Sequence, residues 1–237
     1  MFYYYDSTFL ILIPAILFTM WAQGMVSRNF RRFSQVRNQK NLTGAEAARK
    51  MLDYNGLSGV GIRQISGSLT DHYDPRTRVL SLSQDVYGVA SVAAVSVACH
   101  EAGHAIQHAK SYGPLKIRNA IVPIVNFASR FSWLLLITGI LLLGVGDYQM
   151  VPFGNLLFNI GVIAFVAVIV FHLITLPVEF DASRRAINKM EELGLVAEDD
   201  IPGSKKVLRA AAMTYVAALA MAVANLLRIL AIRGRRD

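Results

Sequence analysis

The sequence predicts a mainly α-helical, multi-span membrane protein with a small cytoplasmic α+β portion, in which short strands accompany one functional helix. Hydrophobic residues make up 54% of the 237 positions and charged residues 17%, whereas soluble domains carry about 25% charged residues. Several apolar runs approach the ~20 residues that a helix needs to cross a bilayer. The mean hydropathy of +0.41 is too high for an ordinary soluble enzyme. A single cysteine excludes an internal disulfide framework.

Residues 1–26 are predicted to form an N-terminal transmembrane anchor. The apolar run starts near Thr8 and no Lys or Arg precedes it, so it lacks the basic leader of a cleaved signal peptide. Segment 27–40 is a basic linker without acidic residues, and the positive-inside rule places it in the cytoplasm with the N-terminus outside. Its charges are expected to face water and anionic lipid. Because no interleaved basic and aromatic residues follow, no nucleic-acid partner is expected.

Residues 119–178 are predicted to form a transmembrane helical hairpin. One apolar run covers 131–146 and the second covers 151–178, which is long enough to cross with tilt. The connection from Asp147 to Met150 carries no positive charge and is therefore expected outside.

The last segment, 210–237, is predicted to be an apolar helix followed by a basic tail. A full crossing would place Arg233, Arg235 and Arg236 outside, against the charge rule. Either a fourth span or a helix lying at the membrane interface is therefore expected, and the interfacial position obeys the rule better.

Between the first span and the hairpin, residues 41–118 have the pattern of a globular cytoplasmic segment. Thr43 and Glu46 match a capping box and predict the start of a helix, which Gly56 is expected to close. The other elements predicted in this segment are strands at 60–65 and 78–82, joined by turn-rich residues, and a continuous helix from Val86 onward.

His100, Glu101 and His104 form the sequence H-E-x-x-H within that last helix. Residues four apart lie on the same face of a helix, so both imidazoles can bind one metal ion. Glu101 would then lie beside the ion, where it can take a proton from a water whose pKa zinc lowers to about 7. Two structural histidines are the alternative interpretation. The small apolar residues upstream, and Gly103, which leaves room for substrate or another backbone, favour zinc.

A catalytic zinc needs a third protein ligand, and Glu179 is the best candidate. It opens the second cytoplasmic segment, 179–209, because Pro177 is expected to end or kink the preceding span before a new helix. Capping the first turn of that helix is an alternative role, compatible with ligation. His108 lies about 6 Å beyond His104 along the helix axis and is expected to support a ligand or contact substrate. The remaining histidines are expected to be a turn residue, His72, and a packed core residue, His172.

Three stretches resemble the YugP-like neutral zinc metallopeptidases of bacterial membranes: LTDHYDPRTRVLSLSQDVY, CHEAGHAIQH and LPVEFDASRRA. The resemblance covers nearly the whole chain. More remotely, the chain is similar to HtpX and the CAAX prenyl proteases, which are gluzincin-type enzymes. The resemblance implies a zincin-like cytoplasmic portion with Zn²⁺ bound by His100, His104 and Glu179, and with Glu101 as the catalytic base.

The second motif of those remote relatives is commonly E-F-x-A-D, and here the closing Asp is replaced by Ser183. The acidic residue that orients a ligand is therefore absent or moved to Asp181. Arg184 and Arg185 are expected either to steady an oxyanion or a substrate carboxylate, or to form a solvated pair that faces lipid.

The predicted strand at 78–82 has two interpretations. It precedes the active-site helix directly, so it could hold an extended peptide by backbone pairing; an ordinary structural edge is the alternative. Cys99 lies on a different helical face from the ligands and is expected to be a small buried apolar residue.

These features predict a zinc-dependent endopeptidase anchored in the bacterial cytoplasmic membrane, with its active site facing the cytoplasm. The expected partners are the lipid bilayer and protein substrates that are membrane-associated or unfolded; no oligomeric state is predicted. A site-2-type intramembrane protease would carry an L-D-G motif, which is absent from the sequence. The alternative function is a metal-stabilised membrane scaffold or chaperone partner, for which an acid beside the ligands is not required.

Overall fold

The computed structural model describes residues 7–144 and 148–234. The chain divides into two compact units. The first comprises the described residues up to Met20, Ile117–Thr175 and those from Tyr215 onward, and the second comprises Trp21–Lys116 and Leu176–Thr214. Asp147, which is predicted to be outside the membrane, and the tail residues Arg235 and Arg236 lie outside the described residues.

The described residues form seven α-helices and one three-stranded sheet, with short 3₁₀ turns at Ser7–Ile11 and Glu198–Asp200. The helices are α1 (Ile13–Ser34), α2 (Gly44–Tyr54), α3 (Gln84–Tyr87), α4 (Val92–Ala109), α5 (Gly113–Gly144), α6 (Val151–Glu192) and α7 (Ile201–Arg233). The strands are β1 (Gly61–Ile65), β2 (His72–Asp74) and β3 (Val79–Ser83). The mainly α-helical class with a small mixed sheet is as predicted.

Three helical stretches of the described residues are long and apolar enough to cross a membrane: Gly113–Gly144, Val151–Glu192 and Glu198–Arg233. The last of these contains the segment for which a span was an open alternative. Helix α1 is not among them, because part of its apolar run lies in the preceding 3₁₀ turn and the helix continues into Arg28, Arg31 and Arg32. The anchor at 1–26 therefore stays a prediction.

The first unit is held together by close packing between α5 and α6. A Cβ added to Gly139 would lie 2.7 Å from the backbone nitrogen of Phe158, so the two backbones approach too closely for any larger residue. Leu136, Phe158 and Phe165 form a buried cluster there with Ile229 of α7. Small residues that allow such contact are typical of helix interfaces in membranes.

The core of the second unit lies between α2, α4 and the sheet. The predicted capping box is present, with the Thr43 side chain accepting from the Glu46 backbone and the Glu46 side chain accepting from the Thr43 backbone. From α2, Met51 and Leu52 are fully buried in the cluster that also contains Leu80 and Leu82 of β3. This core supports the helix that carries H-E-x-x-H.

The sheet corrects the interpretation of the strand at 78–82. Strand β3 is central: β1 pairs with it in parallel and β2 pairs with it antiparallel. It therefore cannot offer an edge to a peptide. The edge facing α4 belongs to β2, which has only three residues. The sequence interpretation assigned them to a turn because turn-forming residues surround them.

Two helix boundaries also differ from prediction. The continuous helix expected from Val86 is interrupted after α3, and α4 begins at Val92 with Ser91 as its cap, whose side chain accepts from the Ala94 backbone at 3.1 Å. Pro177 does not end the third predicted span, since α6 runs through it to Glu192. Proline inside a helix is tolerated in membrane proteins when neighbouring groups satisfy the freed carbonyl.

Candidate metal centre

Two imidazoles of α4 and one carboxylate of α6 converge within the second unit. The Nε2 atoms of His100 and His104 lie 3.4 Å and 3.6 Å from Oε2 of Glu179. One nitrogen or oxygen from each residue lies within 4.8 Å of the others. The two rings meet edge to face with centroids 4.8 Å apart. Within the described residues, no other three His, Cys, Asp or Glu side chains meet in this way.

This donor set fits a tetrahedral zinc ion. Bonds of about 2.1 Å at tetrahedral angles place neighbouring ligand atoms about 3.4 Å apart, close to the two nitrogen-to-oxygen distances above. The side chains of His100, His104 and Glu179 are 12%, 11% and 4% exposed, so the donors are mostly withdrawn from water. Two neutral imidazoles and one carboxylate are also the ligand chemistry that zinc prefers.

The ring of His104 is oriented by a buried amide that the sequence interpretation missed. Nδ1 of His104 lies 3.0 Å from Oε1 of Gln107, which can only accept a hydrogen bond. His104 therefore carries its hydrogen on Nδ1 and leaves Nε2 free for a metal. Gln107 is fixed in turn, because its Nε2 donates to the Val178 carbonyl at 2.8 Å and to Oδ2 of Asp181 at 2.9 Å.

His100 has a different partner, Ser183, whose Oγ lies 3.1 Å from Nδ1 of the imidazole. Ser183 thus stands where the remote relatives carry an acidic residue, and a hydroxyl can accept from Nδ1–H in its place. Asp181, the other residue considered for orientation, acts on His104 through Gln107 rather than by direct contact.

Asp181 is bound by both arginines that follow it. Arg184 forms an ion pair with Oδ1, and Nε of Arg185 donates to Oδ2 at 2.5 Å. These contacts do not test the predicted oxyanion role, and the exposed side chain of Arg184 is compatible with the predicted solvated pair. Both arginines compensate a carboxylate that is 4% exposed, as a buried charge requires.

Glu101 lies on α4 next to the cluster and faces strand β2. Burial raises the pKa of its carboxyl to about 7, and the charges of Glu179 and Asp71 add to this rise. The imidazole of His100 and a hydrogen bond from the backbone N–H of Tyr73 oppose it. A carboxyl with a pKa near neutrality suits a group that exchanges protons at physiological pH.

The remaining residues singled out from the sequence lie away from these donors. His108 points to β2, where its Nδ1 lies 2.9 Å from the Tyr73 hydroxyl. His72 is exposed and is the first residue of β2 rather than part of a turn. Cys99 is buried as expected, and burial raises its thiol pKa to about 12, which leaves it chemically inert.

Similarity to known proteins identifies the protein family to which the chain belongs. Residues 8–234 match the family described as "Putative neutral zinc metallopeptidase". The chain belongs to this family. It is also 46% identical over 221 residues to the "Putative membrane protease YugP" of Bacillus subtilis (strain 168). The aligned region covers 93% of each of the two chains. No solved structure matches. The family's zinc chemistry agrees with the donor set formed by His100, His104 and Glu179.

Proposed function

We propose that the chain is a membrane-bound, gluzincin-type zinc endopeptidase in which His100, His104 and Glu179 bind the metal. The observation that carries this proposal is the convergence of these three donors, with both imidazole nitrogens 3.4–3.6 Å from Glu179, beside a carboxylate that is not itself in the group. A purely structural zinc site is normally closed by four protein ligands. Three donors leave a position for water and substrate, which a catalytic site needs.

Glu101 is the general base of this proposal. Zinc held by the three donors would polarise a peptide carbonyl and acidify water. Glu101 takes the proton from the attacking water and returns it to the leaving amine. Gln107 keeps His104 in the tautomer that presents Nε2 to the metal, and Ser183 orients the ring of His100.

Substrate binds in extended form along the outer edge of β2. This strand pairs only with β3 among the described strands, and the Tyr73 backbone N–H points away from β3 toward Glu101. A peptide that pairs with this edge passes beside the base and the metal ligands. Backbone pairing supplies affinity without a sequence requirement, which suits a peptidase of unfolded segments.

The proposed location is the bacterial cytoplasmic membrane with the site on the cytoplasmic side. The basic segment 27–40 belongs to the same unit as His100 and Glu179, and clustered Lys and Arg residues favour the cytoplasmic face. Substrates are then membrane proteins or unfolded segments presented at that face.

The decisive experiment compares purified wild type with Glu101→Gln, using unfolded casein as substrate and elemental analysis for zinc. The variant should retain zinc and lose cleavage by at least a factor of ~10². Full activity of Glu101→Gln would contradict the general-base role. Zinc binding without cleavage by wild type would favour the metal-stabilised scaffold.

The ligand set is tested separately by metal analysis of Glu179→Ala and His108→Ala. Glu179→Ala should lose zinc, whereas His108→Ala should retain it, because His108 contacts Tyr73 and not the cluster. Retention of zinc by Glu179→Ala would show that another residue supplies the third ligand.

A further inference from the structure

A pocket beside the proposed base is lined by groups that recognise negative charge. It has a volume of about 380 Å³ and is formed by the loop after α2, by β2 and by the last turns of α4. Tyr73, Arg78 and His108 supply its polar side chains, and none of the described residues that line it is acidic. Ligand pockets typically occupy about 300–1,000 Å³, so this one is large enough for a single side chain or a chain terminus.

Tyr73 joins the pocket to the proposed catalytic centre. Its backbone N–H donates to Glu101, while its hydroxyl lies 2.9 Å from Nδ1 of His108. Glu101, Ala105 and His108 follow one face of α4 at the spacing of successive turns. A peptide held along β2 next to Glu101 therefore extends over the pocket.

Two of the three polar groups, His108 and Arg78, can donate hydrogen bonds to a ligand, and the third, Tyr73, orients His108. When the Tyr73 hydroxyl donates to Nδ1 of His108, the ring hydrogen lies on Nε2 and remains available to a ligand. Arg78 adds a permanent positive charge, and it lies close enough to Tyr73 that its charge opposes the rise in the tyrosine pKa that burial causes. Arg78 also has a positive φ of 55°, a conformation that costs a residue other than glycine free energy.

We propose that the pocket formed by Tyr73, Arg78 and His108 binds a carboxylate of the peptide substrate, either an acidic side chain or the C-terminal carboxylate. The assignment rests on the proposed peptidase function. The pocket would give the enzyme a preference for negative charge at one position of the substrate. Pairing along β2 alone would contact only the peptide backbone.

The test measures binding to the zinc-loaded, full-length Glu101→Gln protein in detergent, because this variant should hold peptides without cutting them. The probes are fluorescent peptides built on one uncharged scaffold. The parent has Gln throughout its central positions and an amidated C-terminus. A second set moves one Glu along the parent, and a third peptide is the parent with a free C-terminal carboxylate. These sets distinguish a side-chain carboxylate from a terminal one.

One position of Glu, or the free C-terminus, should tighten binding by roughly tenfold, the gain expected from a charge-assisted hydrogen bond. Adding Arg78→Gln should abolish this gain, and adding Arg78→Glu should reverse it, so that the same carboxylate weakens binding. His108→Leu should reduce the gain. Arg76→Gln is the matched control, since Arg76 is exposed in the same turn and does not line the pocket.

Equal binding of all peptides, or a gain that survives Arg78→Gln, would overturn the pocket assignment. Melting temperature and zinc content of each variant establish that it is folded. If wild-type protein leaves every peptide intact while the Arg78-dependent gain persists, the peptidase proposal fails and the carboxylate pocket stands. If peptides are cleaved without any charge preference, the pocket assignment fails and the peptidase proposal stands.

Discussion

Gly103 lies directly against the backbone of Ala182. A Cβ placed on Gly103 would be 2.7 Å from the Ala182 carbonyl oxygen and 3.4 Å from its Cα. Gly103 sits between the two ligand histidines in the sequence, and Ala182 follows Glu179 by three residues. The absence of a side chain at this point therefore permits the approach of α4 and α6 that brings the three proposed ligands together. The sequence suggested that Gly103 leaves room either for substrate or for another backbone, and the structure shows a neighbouring backbone there.

Gly103→Ala should consequently separate the two helices and weaken the metal site. The contact is with backbone, which cannot rotate away, so the cost of overpacking should be about 1–3 kcal/mol of unfolding free energy. Zinc affinity should fall as well. Gly88→Ala is the control, because no atom lies within 4 Å of a Cβ added there. Thermal unfolding and a chelator competition measure the two effects, and unchanged zinc affinity in Gly103→Ala would contradict the packing argument.

Gln107→Ala should weaken zinc binding without touching a ligand. The substitution removes the acceptor at Nδ1 of His104 and leaves the Asp181 carboxylate without one of its donors. Loss of such an orienting partner typically lowers metal affinity about 10–100-fold. The matched control is Gln64→Ala on β1, where the side chain is exposed. Titration with a fluorescent zinc chelator measures the change, and equal affinities for the two variants would show that Gln107 does not orient the imidazole.

The parts of the site that depend only on the spacing of residues along one helix could be predicted from the sequence. His100 and His104 lie on one helical face because of their i and i+4 spacing, and this holds wherever the helix packs. Glu179 was selected from its position after an apolar run. The partners of these residues depend on how α4 and α6 face each other. The orienting role of Gln107 therefore could not be predicted from the sequence, because its acceptors on α6 are more than 70 residues away along the chain.

The errors in the fold have a similar origin. Strand β2 consists of three residues, too few for an alternating pattern to outweigh the turn-forming residues before it. Because β2 was missed, β3 was given an edge position that it does not have. Pro177 was expected to end or kink a helix on intrinsic preference, and the structure excludes the first of these, because α6 continues through it.

Glu101→Gln should stabilise the zinc-free protein at alkaline pH. The folded-state pKa of Glu101 is raised from 4.5 to about 7, so between these values the folded protein keeps a proton that the unfolded chain has lost. The unfolding free energy of metal-free wild type therefore falls as pH rises through this window and stays low above it. Glutamine has no proton to lose. The advantage of the variant should grow by about 2 kcal/mol between about pH 5.5 and about pH 8.

Urea unfolding of the two zinc-free proteins at both pH values measures this difference. Zinc must be removed from both samples, since a bound cation beside the carboxylate favours its ionised form. A difference between wild type and Glu101→Gln that is independent of pH would mean that the carboxyl titrates alike in the folded and unfolded states.

The C-terminal end of α7 should lie on the same side of the membrane as the turn between α5 and α6. Arg233 donates to Asn155 at 2.8 Å and to Asn159 at 3.1 Å, both in the first turns of α6, and its guanidinium lies 4.5 Å from the centre of the Phe158 ring. These contacts give the positive charge of Arg233 polar partners. That charge was one of the reasons why the sequence did not favour a membrane crossing by this helix. If α6 spans the bilayer, a neighbour whose end meets the start of α6 spans it in the opposite direction.

Cysteine labelling of intact cells tests this arrangement. Cys99 gives little background because it is buried and its thiol pKa is about 12. Met150→Cys and Gly234→Cys should react with a membrane-impermeant maleimide to the same extent. Lys50→Cys, at an exposed position of α2, should react only after permeabilisation, since the proposed orientation puts that helix in the cytoplasm. Labelling of Gly234→Cys that follows Lys50→Cys instead of Met150→Cys would mean that α7 does not cross and that its basic end obeys the charge rule.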